Sequence, residues 1–240
     1  MERIWSITLI GLCVGVIGTG LGGMIIFFIR NPGNRFLSFI LGFSSGLMLA
    51  IVCFDLLPEA FSMAQLYVSI LGIITGVAVV AFVDRLLPKG NTDFLKTGIL
   101  LGIGVALHNF PEGLAIGSGF IAGNHLGIGI SIVIALHNMP EGISMAAPMR
   151  AGGVSSFKSF FYASMAGIPM GAGAFVGAVL GGISEAFIAF CLSCAGGTML
   201  YITCEELIPK SQSLKFKRIS SFGFILGFVL GIVISQGFGV

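Results

Sequence analysis

The sequence predicts an all-α membrane protein whose eight helices cross the lipid bilayer. Of its 240 residues, 56% are hydrophobic and only 9% are charged, and the mean hydropathy is +1.06. Soluble domains carry about 25% charged residues, so this chain cannot cover its surface with polar groups in water. Eight apolar stretches with few charged residues each approach or exceed the ~20 residues that a helix needs to cross the membrane. These observations exclude a soluble protein.

Each apolar stretch is predicted to be a helix rather than a strand. Backbone N–H and C=O groups inside a bilayer must bond within the protein, which leaves only helices and closed barrels. The stretches are about twice as long as a barrel strand and lack its alternation of polar and apolar residues. The predicted helices, in chain order, are residues 4–29, 36–57, 67–83, 97–120, 126–148, 160–183, 186–208 and 219–238.

Further features support individual helices. The first stretch is longer than the apolar core of a signal peptide and has no small-residue cleavage pattern, so we interpret it as a helix. The second and seventh helices share one repeated pattern, and the fourth and fifth share another. A short turn at residues 123–125 makes the fourth and fifth antiparallel neighbours. No connecting loop exceeds about 14 residues, so we expect a single domain over residues 1–240 with its function inside the helices.

The basic residues predict the orientation of the bundle. Eleven of the twelve Lys and Arg lie in loops on one side of it, and only Arg3 lies elsewhere. Positively charged loops stay in the cytoplasm, so we expect a multi-pass protein of the cell membrane (plasma or inner) with both termini outside the cytoplasm. A net charge of +2 without a long basic run argues against a nucleic-acid partner. The eleven residues are Arg30, Arg35, Arg85, Lys89, Lys96, Arg150, Lys158, Lys210, Lys215, Lys217 and Arg218.

Two internal repeats organise the chain. Residues 106–113 and 135–142 agree at seven of eight positions, at an offset of 29. A second pattern in the second helix recurs in the seventh at an offset of 151, where the chain runs in the opposite direction. This predicts an inverted repeat of helices 1–3 and 6–8 around a central pair of helices 4 and 5, as in many transporters that work by alternating access. The repeat places Asp55 near the outer face and Glu206 near the inner face, as candidate gate residues.

The central pair carries a candidate metal site. Helical spacing puts one imidazole, one amide and one carboxylate on a single face of each helix, near the middle of the membrane. A carboxylate at this depth costs roughly 2.5 to 3.5 kcal/mol, and a bound dication would cancel two such charges. Pro111 and Pro140 each free a backbone carbonyl in the same turn as the histidine. The candidate ligands are His108, Asn109, Glu112, His137, Asn138 and Glu141.

The ligand types narrow the choice of metal and of function. Imidazole and carboxylate suit Zn, Fe, Mn or Co better than Cu(I), and do not choose among the four. A transporter fits the inverted repeat. An intramembrane zinc metalloenzyme is the alternative, since His-x-x-x-Glu can hold a catalytic zinc, but the duplicated sites include no separate general base. A purely structural protein would leave four ionisable groups at the midplane unexplained.

The doubled motif resembles that of a known family. His-Asn-Phe-Pro-Glu-Gly at residues 108–113 and His-Asn-Met-Pro-Glu-Gly at residues 137–142, in an eight-helix chain, are similar to the bacterial branch of the ZIP (Zrt/Irt-like) transporters. The resemblance implies uptake of a divalent metal into the cytoplasm, with the six candidate ligands lining the transport site. We expect zinc foremost, with iron, manganese, cobalt and cadmium as alternatives, and no organic cofactor. It also implies a homodimer in which helices 1, 4, 5 and 6 move against helices 2, 3, 7 and 8.

The chain also departs from the pattern of related transporters with two metals. Those are expected to carry an acidic residue before the proline of the sixth helix and another at the position of Asn138. Here Ile168 precedes Pro169 and Asn138 is neutral, so we expect one principal ion. The loop between the third and fourth helices has no histidine cluster, which argues against metal sensing there. Cys191 and Cys194 form a single Cys-x-x-Cys at the start of an apolar helix and are interpreted as packing residues, and no disulfide is expected.

Overall fold

Within its described residues, 1–29, 31–86, 93–180 and 184–237, the protein is helical and has no strands in the computed structural model. Eight helices there are long and apolar enough to cross a membrane, which confirms the predicted fold class. Arg30, Lys89 and the predicted helix ends at 183 and 238 lie outside these residues. The helices are α1 Glu2–Phe27, α2 Asn34–Met63, α3 Leu66–Leu86, α4 Asp93–Ala122, α5 Asn124–Ala151, α6 Ser156–Val179, α7 Glu185–Ser213 and α8 Lys217–Gly237.

Helices α2 and α7 extend about one and a half turns beyond their predicted ends at residues 57 and 208. Pro58 and Pro209 do not end them, because each proline follows a π-helical turn, Val52–Leu56 or Thr203–Leu207. A proline removes one donor and clashes with the carbonyl four residues earlier. The wider π turn changes the position of the proline relative to that carbonyl. In α2 the residue four before Pro58 is Phe54, and its carbonyl accepts a hydrogen bond from the Ser235 hydroxyl at 3.1 Å. The two π turns lie 151 residues apart, at the offset of the repeat.

Helix α6 is interrupted where the sequence predicts a continuous helix. The segment Ser156–Ala166 ends at Gly167, and the helix resumes as Ile168–Val179. Pro169 stands in the first turn of the second segment, where a missing N–H costs nothing. The first segment packs mainly on α1 and the second mainly on α4 and α1.

Close contacts at glycines show the inverted repeat in three dimensions. Gly46 of α2 lies against the backbone carbonyl of Phe224 in α8, and Gly197 of α7 lies against that of Ile73 in α3. Adding 151 to the number of each residue in α2 and α3 gives its counterpart. A second pair of equivalent contacts joins Gly142 to Thr19 and Gly113 to Met170. Here Gly142 lies 29 residues after Gly113, and Met170 lies 151 residues after Thr19. Only glycine allows backbones to approach this closely.

The helix contacts obey the same symmetry. The contact between α2 and α8 is equivalent to the contact between α7 and α3. The contact between α5 and α1 is likewise equivalent to the contact between α4 and α6. The α4–α5 contact lies at the centre. The packing thus separates α1, α4, α5 and α6 from α2, α3, α7 and α8, and the two groups meet mainly where α4 contacts α7 and α5 contacts α2.

Candidate metal site

All six candidate ligands lie buried between α4, α5 and their neighbours. The His108 Nε2 atom is 3.1 Å from Oε2 of Glu141, and the His137 Nε2 atom is 3.2 Å from Oε1 of Glu112. Each histidine therefore pairs with the carboxylate of the other helix. None of the six side chains is more than 2% exposed.

Each of these side chains also keeps one polar atom without a hydrogen-bond partner. Leaving such an atom unpaired in a buried site costs about 1 to 3 kcal/mol, so the six together could hold an ion or a polar ligand. Two are imidazole nitrogens, two are carboxylate oxygens and two are amide oxygens, a donor set that suits a divalent ion of borderline hardness. They are Nδ1 of His108 and His137, Oε2 of Glu112, Oε1 of Glu141, and Oδ1 of Asn109 and Asn138.

The two asparagines are oriented through their amino groups. The Nδ2 atom of Asn109 donates to the Ala166 carbonyl at 2.8 Å, and this carbonyl is available because α6 breaks just after it. The Nδ2 atom of Asn138 lies 4.0 Å from the sulfur of Met170. Both contacts leave the amide oxygens free for a ligand.

The described side chains do not form a ready-made cage. No group of three or more His, Cys, Asp or Glu side chains converges as metal ligands within the described parts of the chain. The histidines and carboxylates are instead occupied with one another in two pairs. A divalent ion that binds here would have to replace these hydrogen bonds with coordination bonds.

A cavity of about 560 Å³ leads to the paired residues from the end of the bundle that carries both termini. Glu112 and His137 lie at its inner end, and Ser62 and Gln236 lie near its mouth. Asp55 lines the cavity, in the π turn of α2. Glu59 lines it one helical turn further out but was not among the predicted site residues, since it lies beyond the predicted stretch 36–57.

At the opposite end of the same interface, which we call the closed end, side chains of the two helix groups contact one another. Thr97 of α4 donates to Oε2 of Glu206 at 3.1 Å. The Lys96 ammonium forms a 2.6 Å ion pair with Asp84 of α3, and the Lys210 ammonium lies 4.5 Å from the centre of the Phe94 ring. Glu206 therefore lies at the other end from Asp55 and does not line the cavity. Asp84, Lys96 and Thr97 were not among the predicted site residues, since nothing in their local sequence indicates these partners.

The five cysteines are free thiols and lie apart from the paired residues. Cys13, Cys53 and Cys204 are exposed, and Cys191 and Cys194 are half-buried in α7. None of them lines the cavity that leads to Glu112 and His137.

Comparisons with known proteins agree with these observations. A family model described as ZIP zinc transporter matches residues 92–235. The zinc transporter ZupT of Escherichia coli (strain K12 / DH10B) is 31% identical, over 97% of this chain and 95% of its own length. ZupT of Clostridium perfringens is 27% identical, over 96% and 95% respectively. The zinc transporter ZTP29 of Arabidopsis thaliana is 30% identical over 48% of this chain and 51% of its own.

Proposed function

We propose, since this chain belongs to the ZIP family of transporters, that it carries zinc and related divalent ions into the cytoplasm through the paired site of α4 and α5. The observation that carries this proposal is the set of six unpaired donor atoms on the buried candidate ligands, of which Glu112 and His137 line the cavity. Iron, manganese, cobalt and cadmium are alternative ions, because nitrogen and oxygen donors do not separate them.

The proposed path begins at the end of the bundle that carries the termini. A hydrated cation entering the cavity meets the carboxylates of Glu59 and Asp55 before it reaches Glu112 and His137. The two carboxylates of the site would balance the charge of one divalent ion. The imidazoles bind metal only when neutral, so the protons that they share with Glu112 and Glu141 must leave or move as the ion binds.

We further propose alternating access between two related states. Asp55 and Glu206 are repeat counterparts at an offset of 151, and Leu126 is the counterpart of Thr97 at an offset of 29. Thr97 touches Glu206 at the closed end, whereas Leu126 and Asp55 line the open cavity at the other. The two helix groups are thus in contact at one end, whereas the cavity is lined by both of them at the symmetric position. Exchanging the two arrangements would open the site to the cytoplasm.

The proposed motion follows the packing groups. Helices α1, α4, α5 and α6 would move as one unit against α2, α3, α7 and α8, since the polar contacts at the closed end join the two units. The positive-inside rule favours a cytoplasmic location for this closed end, because the basic loops lie there. Three further parts complete the proposal. The basic loops favour the cell membrane, and the neutral Ile168 and Asn138 favour one principal ion per chain. The family resemblance favours a homodimer.

Transport is preferred to intramembrane catalysis because the two His–Glu pairs are equivalent. A metallohydrolase needs one open coordination position and a base with a separate role. In this site each carboxylate pairs with a histidine in the same way.

The test is metal uptake by the purified protein in proteoliposomes that contain a metal-sensitive dye. We expect zinc to enter faster than into protein-free vesicles, and cadmium, iron, manganese or cobalt to slow its entry by competition. Entry no faster than into protein-free vesicles for all five ions would refute the proposal.

A further inference from the structure

We propose that a groove between α4, α5 and the first half of α6 binds an anionic phospholipid, with an acyl chain in the groove and the phosphate at Lys158. The groove has a volume of about 800 Å³, within the range of small-molecule sites. It lies at the closed end of the bundle and on a different face of α4 from the metal cavity. The proposal does not depend on which ion the protein carries.

The interruption of α6 creates the groove. Beyond the break at Gly167, the second half of α6 packs closely on α4, with Gly173 against the Phe110 carbonyl. Before the break, the first half packs mainly on α1 and leaves a space beside α4. Helix α5 forms the floor of that space. The apolar wall consists mainly of Leu95, Ile99, Ile103, Met145, Met149 and Met165.

The charge of the groove favours an anionic occupant. Lys158 and the hydroxyl groups of Ser155 and Tyr162 line it, and none of the described side chains along it is acidic. Lys158 and Tyr162 are both exposed. Arg150 lies alongside, where its guanidinium donates to the carbonyl of the lining residue Val154 at 2.6 Å. An apolar slot with a cation at one end matches a lipid tail joined to a phosphate.

A lipid is also the occupant that the surroundings supply. The lining residues of α4 and α5 belong to membrane-crossing helices, so the groove opens beside the hydrocarbon core rather than water. The positive-inside rule places its lysine end in the cytoplasmic leaflet, where anionic lipids attract basic side chains.

An occupant of the groove would contact the support of one candidate metal ligand. Ala106 and Ala166 line the groove, and the Ala166 carbonyl accepts the hydrogen bond that orients Asn109. A bound acyl chain therefore packs against the break in α6 and restrains it. We expect lipid binding to hold Asn109 in its described orientation.

The test measures quenching of a single tryptophan by brominated lipids. Trp5 is replaced by Phe, and Ile103→Trp places the probe in the groove. Brominated phosphatidylglycerol should quench at about a fivefold lower mole fraction than brominated phosphatidylcholine, the preference that about 1 kcal/mol from one lysine gives. Lys158→Ala should abolish the preference, and Lys217→Ala should keep it.

A second probe controls for the general lipid surface. Phe82 is 63% exposed on α3, so Phe82→Trp in the Trp5→Phe protein should be quenched equally by both lipids. Equal quenching of the Ile103→Trp probe by the two lipids would overturn the proposal, as would a preference that survives Lys158→Ala. Lack of quenching by either lipid would also overturn it, since it would show that neither lipid reaches the groove.

Discussion

His108 and Glu141 form a buried hydrogen bond across the α4–α5 interface, with 3.1 Å between Nε2 and Oε2. The repeat counterpart, His137 with Glu112, has the same geometry at 3.2 Å. Each carboxylate is thus partly compensated by an imidazole of the facing helix, which makes two buried acids tolerable at this depth. In the proposed function, a divalent ion that binds here would take over this compensation of charge.

The first prediction concerns Asp55 in the entry cavity. Asp55→Asn should raise the zinc concentration for half-maximal uptake by about fivefold, which corresponds to about 1 kcal/mol of lost attraction, and should change the maximal rate little. Initial uptake rates at a series of zinc concentrations measure both. Glu205→Gln is the matched control, because Glu205 is exposed on the other π turn. An unchanged half-maximal concentration in Asp55→Asn would remove Asp55 from the path.

The second prediction concerns the ion pair that closes the opposite end. Lys96→Asp places a like charge beside Asp84, so it should weaken the closed end and lower uptake several-fold. Adding Asp84→Lys should restore the pair and bring uptake back to within about twofold of wild type, as expected for coupled neighbours. Arg85→Asp makes the same charge change at an exposed neighbour. A double variant as impaired as Lys96→Asp would show that the pair does not act as a unit.

The third prediction concerns the glycine contacts that show the repeat. Gly46→Ala and Gly197→Ala should lower Tm by similar amounts, because each added Cβ would overlap a backbone carbonyl of the facing helix. Overpacking of this kind costs roughly 1 to 3 kcal/mol. Gly33→Ala is the control, since a Cβ added there would meet no neighbouring atom within 4 Å. Thermal unfolding in detergent measures all three, and equal Tm values for them would contradict the packing described.

Much of the fold follows from simple features of the sequence. Apolar stretches of about the length that crosses a bilayer predict the eight helices, and the offset of 151 predicts their inverted arrangement. The structure continues α2 and α7 past residues 57 and 208, because Pro58 and Pro209 each follow a π turn and do not end the helix. Hydrophobic periodicity does not indicate a π turn, so the sequence does not predict the additional helical turn that carries Glu59.

The sequence likewise predicts only part of the candidate site. Spacing within each helix predicts that His108 and Glu112 share a face, and the repeat predicts that the two faces are equivalent. The packing of α4 on α5 decides which carboxylate each histidine contacts. In the structure His108 pairs with Glu141. The contact of Thr97 with Glu206 joins residues 109 positions apart, and no local pattern indicates it.

The fourth prediction concerns the ligands of bound zinc. X-ray absorption of the purified protein with one equivalent of zinc should show nitrogen and oxygen neighbours at about 2.0 to 2.1 Å, with the outer-shell signals of imidazole. Replacing Cys191 and Cys194 with serine should leave the spectrum unchanged. A sulfur neighbour at about 2.3 Å would instead place the ion on thiolates.

The most direct test of the central claim is the initial rate of zinc uptake by Glu141→Gln in proteoliposomes. The substitution keeps the size of the side chain and removes the charge that an ion would neutralise, so we expect uptake to fall about tenfold or more, as loss of a charged interaction of about 1.5 to 3 kcal/mol implies. Glu185→Gln, exposed at the start of α7, should transport like wild type. Zinc uptake at the wild-type rate by Glu141→Gln with an unchanged Tm would contradict the account.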